Sequence, residues 1–102
     1  MTVWGEIATS DRVFIAPYVV KGTDNLNSGI QLRNFGGADA SVTIRFLNQL
    51  GNMVDTEALT VPSLDSRTVY LPVLADLPNG VYTAEITSST ALAVVVNIVR
   101  YR

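Results

Sequence analysis

A carboxylate pair for general acid–base work is formally available among Glu6, Asp55, Glu57 and Glu85. A glycosidase-like reaction needs two carboxyls flanking the scissile bond with their pKa values pushed apart. Asp55 and Glu57 are two apart, so an extended strand puts both on one face. Acids on the water-facing side of a sheet do no more than solubilise it, and that is the plainer reading of this pair. The chain has neither His nor Cys, which removes Ser-His-Asp and Cys-His nucleophiles and the usual zinc sites. Lys21, the single lysine, sits beside Gly22 at a strand end with no apolar stretch to lower its pKa. It reads as a solvated surface cation. The run Asp24-Asn25-Leu26-Asn27 offers one carboxylate and two amides, enough to begin a calcium loop. The same residues form turns by bonding their own backbone, and the local turn is the simpler expectation. No catalytic, metal-binding or cofactor-binding residue is assigned, no cofactor is expected, and the chain is expected not to be an enzyme.

The bulk numbers agree with a folded binding or structural module. The chain has 102 residues, 48% of them apolar and 16% charged, with a net charge of −2. That is enough chain for one core and too little for two. Six scattered arginines and one lysine make no phosphate-tracking surface, so nucleic acid is not an expected partner. No apolar run approaches the roughly 20 residues that span a bilayer, and membrane insertion is not expected. Met1-Thr-Val-Trp-Gly-Glu6 lacks the basic segment and apolar core of a secretion signal, which fits either a cytoplasmic protein or a mature segment.

The elements that would position these groups are strands. Ile30 and Leu32, then Val42, Ile44 and Phe46, alternate with Gln31, Arg33, Thr43 and Arg45, the period-two pattern of half-buried strands. Gly29 to Asn34 and Ala40 to Leu47 are read as an antiparallel pair turning at Gly36-Gly37, with the next turn at Leu50-Gly-Asn52. Val3 to Ala8 and Arg12 to Val20 are two further strands separated by Thr9-Ser-Asp11; Pro17 suits an edge or a strand that changes sheets. Asn52 to Thr60 and Arg67 to Leu71 follow. Val81 to Thr87 and Leu92 to Tyr101 close the chain, parted by Ser88-Ser-Thr90. Val73 to Leu77, bounded by Pro72 and Pro78, has room for one helical turn at most. About eight strands with turns every 8 to 12 residues predict an all-β antiparallel sandwich of seven to eight strands, one domain over residues 1–102. Tyr82, just after Leu77-Pro-Asn-Gly80, has the place of a tyrosine corner or of a plain core tyrosine.

With those segments placed, the chain resembles the immunoglobulin-like modules of secreted and surface proteins of bacteria such as the Chloroflexi. The resemblance is carried by Ile15-Ala-Pro-Tyr-Val-Val20, Asn27-Ser-Gly-Ile-Gln-Leu-Arg-Asn-Phe-Gly36, Val42-Thr-Ile44, Leu50-Gly-Asn52, Val61-Pro62, Leu77-Pro-Asn-Gly80 and Ala93-Val-Val-Val-Asn97. It runs from near Arg12 to Val99. It implies an immunoglobulin-like sandwich, an extracellular or cell-surface setting, and a structural or adhesive role without catalytic residues.

Two strands are apolar on both faces. Trp4, Phe14 and Tyr18 are placed opposite the face of Val13, Ile15 and Val19. In the last strand Leu92, Val94, Val96 and Ile98 fill one side, and Ala93, Val95, Val99 and Tyr101 the other. A strand wet on one side has no use for such a pattern. Either the first strand covers the second face or a partner does. Trp4, Phe14, Tyr18, Val95, Val99 and Tyr101 are therefore the interface candidates. The expected function is a structural, self-associating protein–protein interaction module, its first ten residues packed at home or exchanged with a neighbour. The alternative is a carbohydrate-binding module that presents Trp4, Phe14 and Tyr18 to a polysaccharide.

Overall fold

The computed structural model describes the backbone of residues 3–23 and 25–100 and the side chains of 12–23 and 25–100. Six strands carry the fold: β1 (Val3–Thr23), β2 (Leu26–Arg33), β3 (Ala40–Leu47), β4 (Met53–Val61), β5 (Ser66–Tyr70) and β6 (Gly80–Arg100). They form one antiparallel sheet, in the order β4-β3-β6-β1-β2-β5, that curls into a half-barrel. The all-β antiparallel class agrees with the sequence reading; in place of a sandwich of seven or eight strands there is one sheet of six.

The difference lies in β1 and β6, each 21 residues long. The polar runs at Thr9–Asp11 and Ser88–Thr90, expected as turns, are instead shared bends of one two-stranded ribbon. The register moves from Ala8↔Val94 to Asp11↔Leu92 to Val13↔Thr87 across them. Such a shift is a bulge, which bends a ribbon without ending it. Thr9–Asp11 lie against Ala93 and Leu92, and Ser88–Thr90 fall in the next step, opposite Arg12, so the two bends are adjacent and both strands continue through them.

That bend gives β6 two sets of neighbours. Its first half pairs with β3, from Leu47↔Thr83 to Val42↔Ser88. Its second half pairs with β2, from Arg33↔Ala93 to Leu26↔Arg100. β2 and β3 consequently do not pair with each other, contrary to the hairpin expected at Gly36-Gly37. Alternation fixes which residues face inward, but not which strand lies alongside. The physical cause is Asn34, a buried amide at the end of β2. Its Nδ2 donates to the carbonyls of Ala38 (2.7 Å) and Val61 (3.1 Å), and its Oδ1 accepts from Gly36 N–H (2.9 Å). These bonds carry the chain across to the β4–β5 turn in place of folding it back.

Inside the curve lie Phe14, Ile30, Leu32, Ile44, Phe46, Ile86, Leu92 and Val96, all buried in one cluster. Each large side chain so buried stabilises the fold by about 1.5–3 kcal/mol relative to exposure. Leu92, Val94, Val96 and Ile98 are all buried, as their alternation requires. Tyr82 meets Phe46 edge-to-face at 6.4 Å, and its hydroxyl donates to the Pro78 carbonyl at 2.6 Å. It is a tyrosine corner, and burial raises its pKa above the ordinary 10.0. A single 3-10 turn forms before β6, but over Leu71–Val73, around Pro72, and not over Val73 to Leu77 between the prolines as expected.

Candidate interaction surface

The four interface candidates whose side chains are described, Phe14, Tyr18, Val95 and Val99, do not gather on one exposed surface. Phe14 is 6% exposed and belongs to the core. Its neighbours Val13 and Ile15 face out instead, 59% and 54% exposed, and Tyr18 is exposed beside them. The reversal has a local cause at Pro17. The β1–β6 register slips between Ala16 and Val19, so the faces assigned to residues 13–15 and to 18–19 are exchanged across the proline. An aromatic row of Trp4, Phe14 and Tyr18 is thereby broken. Trp4 stands opposite Ile98 in the β1–β6 ladder, with its side chain outside the described residues. Val95 and Val99 lie on the outer face of β6 and are half-buried, with Gln31 and Asn27 beside them in the register of β2. Tyr101 lies outside the described residues.

The exposed apolar side chains of β1 sit on an open edge. Among the described residues, 13–20 of β1 pair with β6 alone, and β1 meets β2 just at Lys21 and Thr23. The backbone groups on the outer side of Val13 to Ala16 are thus free to accept another strand. Below this edge, Pro17, Tyr18, Asn48, Gln49 and Thr83 border an open cleft of about 250 Å³. Asn48 is held at the start of the β3–β4 turn, where its Oδ1 accepts from Leu50 N–H (2.9 Å) and Asn52 N–H (3.1 Å).

At the opposite end of the β3–β4 pair, two loops interlock. Ser63 N–H donates to Asp39 Oδ1 at 3.0 Å, and Ser63 Oγ donates to the Gly36 carbonyl at 2.5 Å. Asn34 N–H donates to the Asp65 carbonyl at 2.9 Å. On this frame stand Phe35 and Leu64, 61% and 75% exposed. The Arg33 guanidinium lies 5.4 Å from the centre of the Phe35 ring. Leu64 has φ of +60°, a left-handed conformation that costs a residue with a Cβ roughly 1–2 kcal/mol. Asp65 next to it has its pKa lowered by the Ser66 N–H bond and by Arg67. Nothing in the residue pattern singles out this pair, and the positive φ of Leu64 has no sequence signature.

Two readings of charged residues change. Lys21 is half-buried, and its ammonium donates to the carbonyls of Leu74 (2.6 Å) and Leu77 (2.5 Å). It ties β1 to the turn that precedes β6 and is not a free surface cation. Asp55 and Glu57 are half-buried and not on the fully wet face. On β4 they share the inward side with Leu59 and Val61, opposite Phe46 and Ile44. Asp55 Oδ2 is buried and finds no donor among the described residues. The Glu57 pKa is raised, first by its hydrogen bond to Asp55, then by burial and by repulsion from Asp55 and Asp76. A proton on Glu57 supplies the donor that Asp55 lacks. In the β1–β2 turn Asn27 Oδ1 accepts from Gly22 N–H at 2.8 Å, the local bond of an Asx turn. Asp24 lies outside the described residues. Gly22 has φ of +61°, and a Cβ there would meet the Asn79 side chain at 2.8 Å, so glycine is required.

No protein-family model matches the sequence, and no curated protein matches it. Among solved structures the chain is similar to the Anabaena sensory rhodopsin transducer, with a TM-score of 0.70 and 20% identity over 83% of this chain and 92% of that one. It is also similar to part of VP2 in the subviral particle of infectious bursal disease virus. There the TM-score is 0.53 and the identity 14%, and the match covers 97% of this chain but 32% of the viral one. At these identities the likeness is one of all-β fold.

Proposed function

We propose that this chain is a non-catalytic protein–protein interaction module of the immunoglobulin-like kind found at bacterial surfaces, and that it associates with copies of itself. The observation that carries the reading is the exposed face of Val13, Ile15 and Tyr18 on a strand with an open edge. Side chains of this size left in water on an edge strand are an invitation to a second strand. Antiparallel addition would satisfy the free backbone groups and cover the apolar row in one step. The extracellular or cell-surface setting rests on the sequence resemblance to the bacterial modules. Residues 1–10 either stay at home, where Val3 to Ala8 pair with β6, or exchange with a neighbour.

The test is solution mass by light scattering over a wide concentration range, with Ile15→Asp as the control. Wild type should gain mass with concentration. The variant should stay monomeric with its melting temperature nearly unchanged, since residue 15 faces solvent. A wild type that stays monomeric at millimolar concentration would overturn the proposal.

A carbohydrate-binding reading retains one point of support. Tyr18 borders the open cleft together with the amides of Asn48 and Gln49, a combination of apolar plane and hydrogen-bonding groups that suits a sugar ring. Titration with soluble polysaccharides, followed by amide chemical shifts around Tyr18 and Thr83, decides it. Shifts confined to the cleft would favour the sugar, and their absence would remove it.

A further inference from the structure

The open stretch of β1 is short and bounded at both ends. Pro17 has no N–H to give, and the β1–β6 ladder slips beyond Ala16. At the other end the ladder slips between Asp11 and Val13, where the ribbon bends. Between these limits lies Arg12-Val-Phe-Ile-Ala16, with Phe14 and Ala16 turned into the core and Val13 and Ile15 outward. Arg12, exposed at its start, is the one charged residue of the segment. Glu85, opposite Ile15 in the ladder, is already bridged to Arg45 at 3.0 Å.

We propose that this segment pairs with the same segment of a second copy, antiparallel about a two-fold axis at Phe14, so that Val13 of each chain lies opposite Ile15 of the other. The inference rests on the self-association reading above and gives its symmetry and register. A two-fold axis relating antiparallel strands stands perpendicular to the sheet and keeps both outer faces on one side. Alternation then lets a residue oppose only residues of its own face, so the axis passes through a residue and not between two. An axis at Ile15 would set Pro17 against Val13, where the ladder lacks an N–H. An axis at Val13 would set Ile15 against Asp11 and run into the bend. An axis at Phe14 has an N–H on every residue of the segment and joins the Val13 and Ile15 side chains of both copies into one apolar patch. Charge favours the antiparallel alignment as well. Four residue steps then part Arg12 from its copy, about 14 Å, which exceeds a Debye length of about 8 Å at physiological salt. Parallel pairing in register would bring the two residues within about 5 Å. The joined sheet runs β4-β3-β6-β1-β1-β6-β3-β4, and both its ends are β4, with Asp55 and Glu57 turned inward. Inward charges deter a further strand, so this contact closes at two copies.

The chain has no cysteine, so single cysteines report the register. Val13→Cys and Ile15→Cys change exposed positions and should leave the fold intact. Directly opposed residues hold their Cβ atoms within about 5.5 Å, whereas diagonal ones stand roughly 7–8 Å apart, too far for an unstrained disulfide. Under mild oxidation the equimolar mixture should therefore crosslink position 13 to position 15 about tenfold faster than either variant crosslinks to itself. Wild-type mass by light scattering should rise with concentration and level off at two copies. Either variant crosslinking to itself as fast as the mixture would overturn the axis at Phe14. Mass growing past two copies would overturn it too, and in both cases self-association lost in Ile15→Asp would leave the broader proposal standing. A wild type that stays monomeric would overturn both.

Discussion

β4 and β1 both run along open edges of the sheet, β4 paired with β3 alone and residues 13–20 of β1 with β6 alone. Their inward and outward residues are distributed in opposite ways. β4 turns two carboxylates, Asp55 and Glu57, toward the interior beside Phe46 and Ile44. An incoming strand at that edge would bury charge, which is a recognised defence against edge-to-edge association. β1 puts its aromatic residue Phe14 inside and leaves Val13 and Ile15 outside. Pro17 follows that apolar row and the exposed Arg12 precedes it, so its defences stand at the ends of the row and not within it. The contrast teaches that exposed edges in one small sheet need not be equivalent: one is guarded and the other is available.

The largest expected effect tests the two faces of β1 through adjacent residues. Phe14→Ala should lower folding stability by about 3–5 kcal/mol, the range for deleting a buried aromatic side chain. Ile15→Ala should change it by less than about 0.5 kcal/mol, as for an exposed position. Urea denaturation of the two variants measures both. Equal losses would mean that the outer face of β1 is covered within the monomer, and the contrast with β4 would disappear.

The next effect sharpens the contrast from the other edge. Asp55→Thr combined with Glu57→Thr removes the inward charges while keeping good strand formers. If those carboxylates are the guard, the double variant should remain folded and self-associate through β4 about tenfold more tightly than wild type, even in an Ile15→Asp background. Light scattering of the triple variant reads this directly. A monomer there would show that β4 is protected by something other than its acids.

How far the sequence showed all this depends on the type of signal. Period-two alternation placed Val42, Ile44 and Phe46 of β3 correctly, because they have one buried side to go to. The same logic failed around Pro17, since a bulge exchanges the faces on its two sides and leaves no trace in hydropathy. Ser88-Ser-Thr90 read as a turn because its residues are turn formers, yet a strand bend needs the same polar, solvated backbone. Asn34 and Lys21 were invisible as anchors. Their importance comes from carbonyls 27 and 53 residues away in sequence, and no local pattern encodes such distant partners. The candidate surface was half legible. Tyr18 is among the expected interface residues, whereas Val13 and Ile15, placed by alternation on the opposite face, are not.

The smallest effect concerns the titration of the guarded edge. The Glu57 pKa is raised in the fold, with the bond to Asp55 as its leading cause. A carboxyl with a raised folded pKa binds more protons in the native state than in the unfolded one. Stability must then fall as pH rises from the ordinary value of 4.5 through the raised value, and recover as pH drops back. Glu57→Gln keeps a donor for Asp55 at every pH and carries no charge. At neutral pH it should be the more stable protein, by no more than about 1 kcal/mol because the site is partly open to solvent. The gap should close as the wild-type Glu57 protonates on acidification. Urea denaturation of both proteins between pH 4 and pH 7.5 tests the sign as well as the size. A gap that widened toward acid would mean that the ionised Glu57 is stabilised in the fold, and the carboxylates of β4 would then be supports of that edge and not its guard.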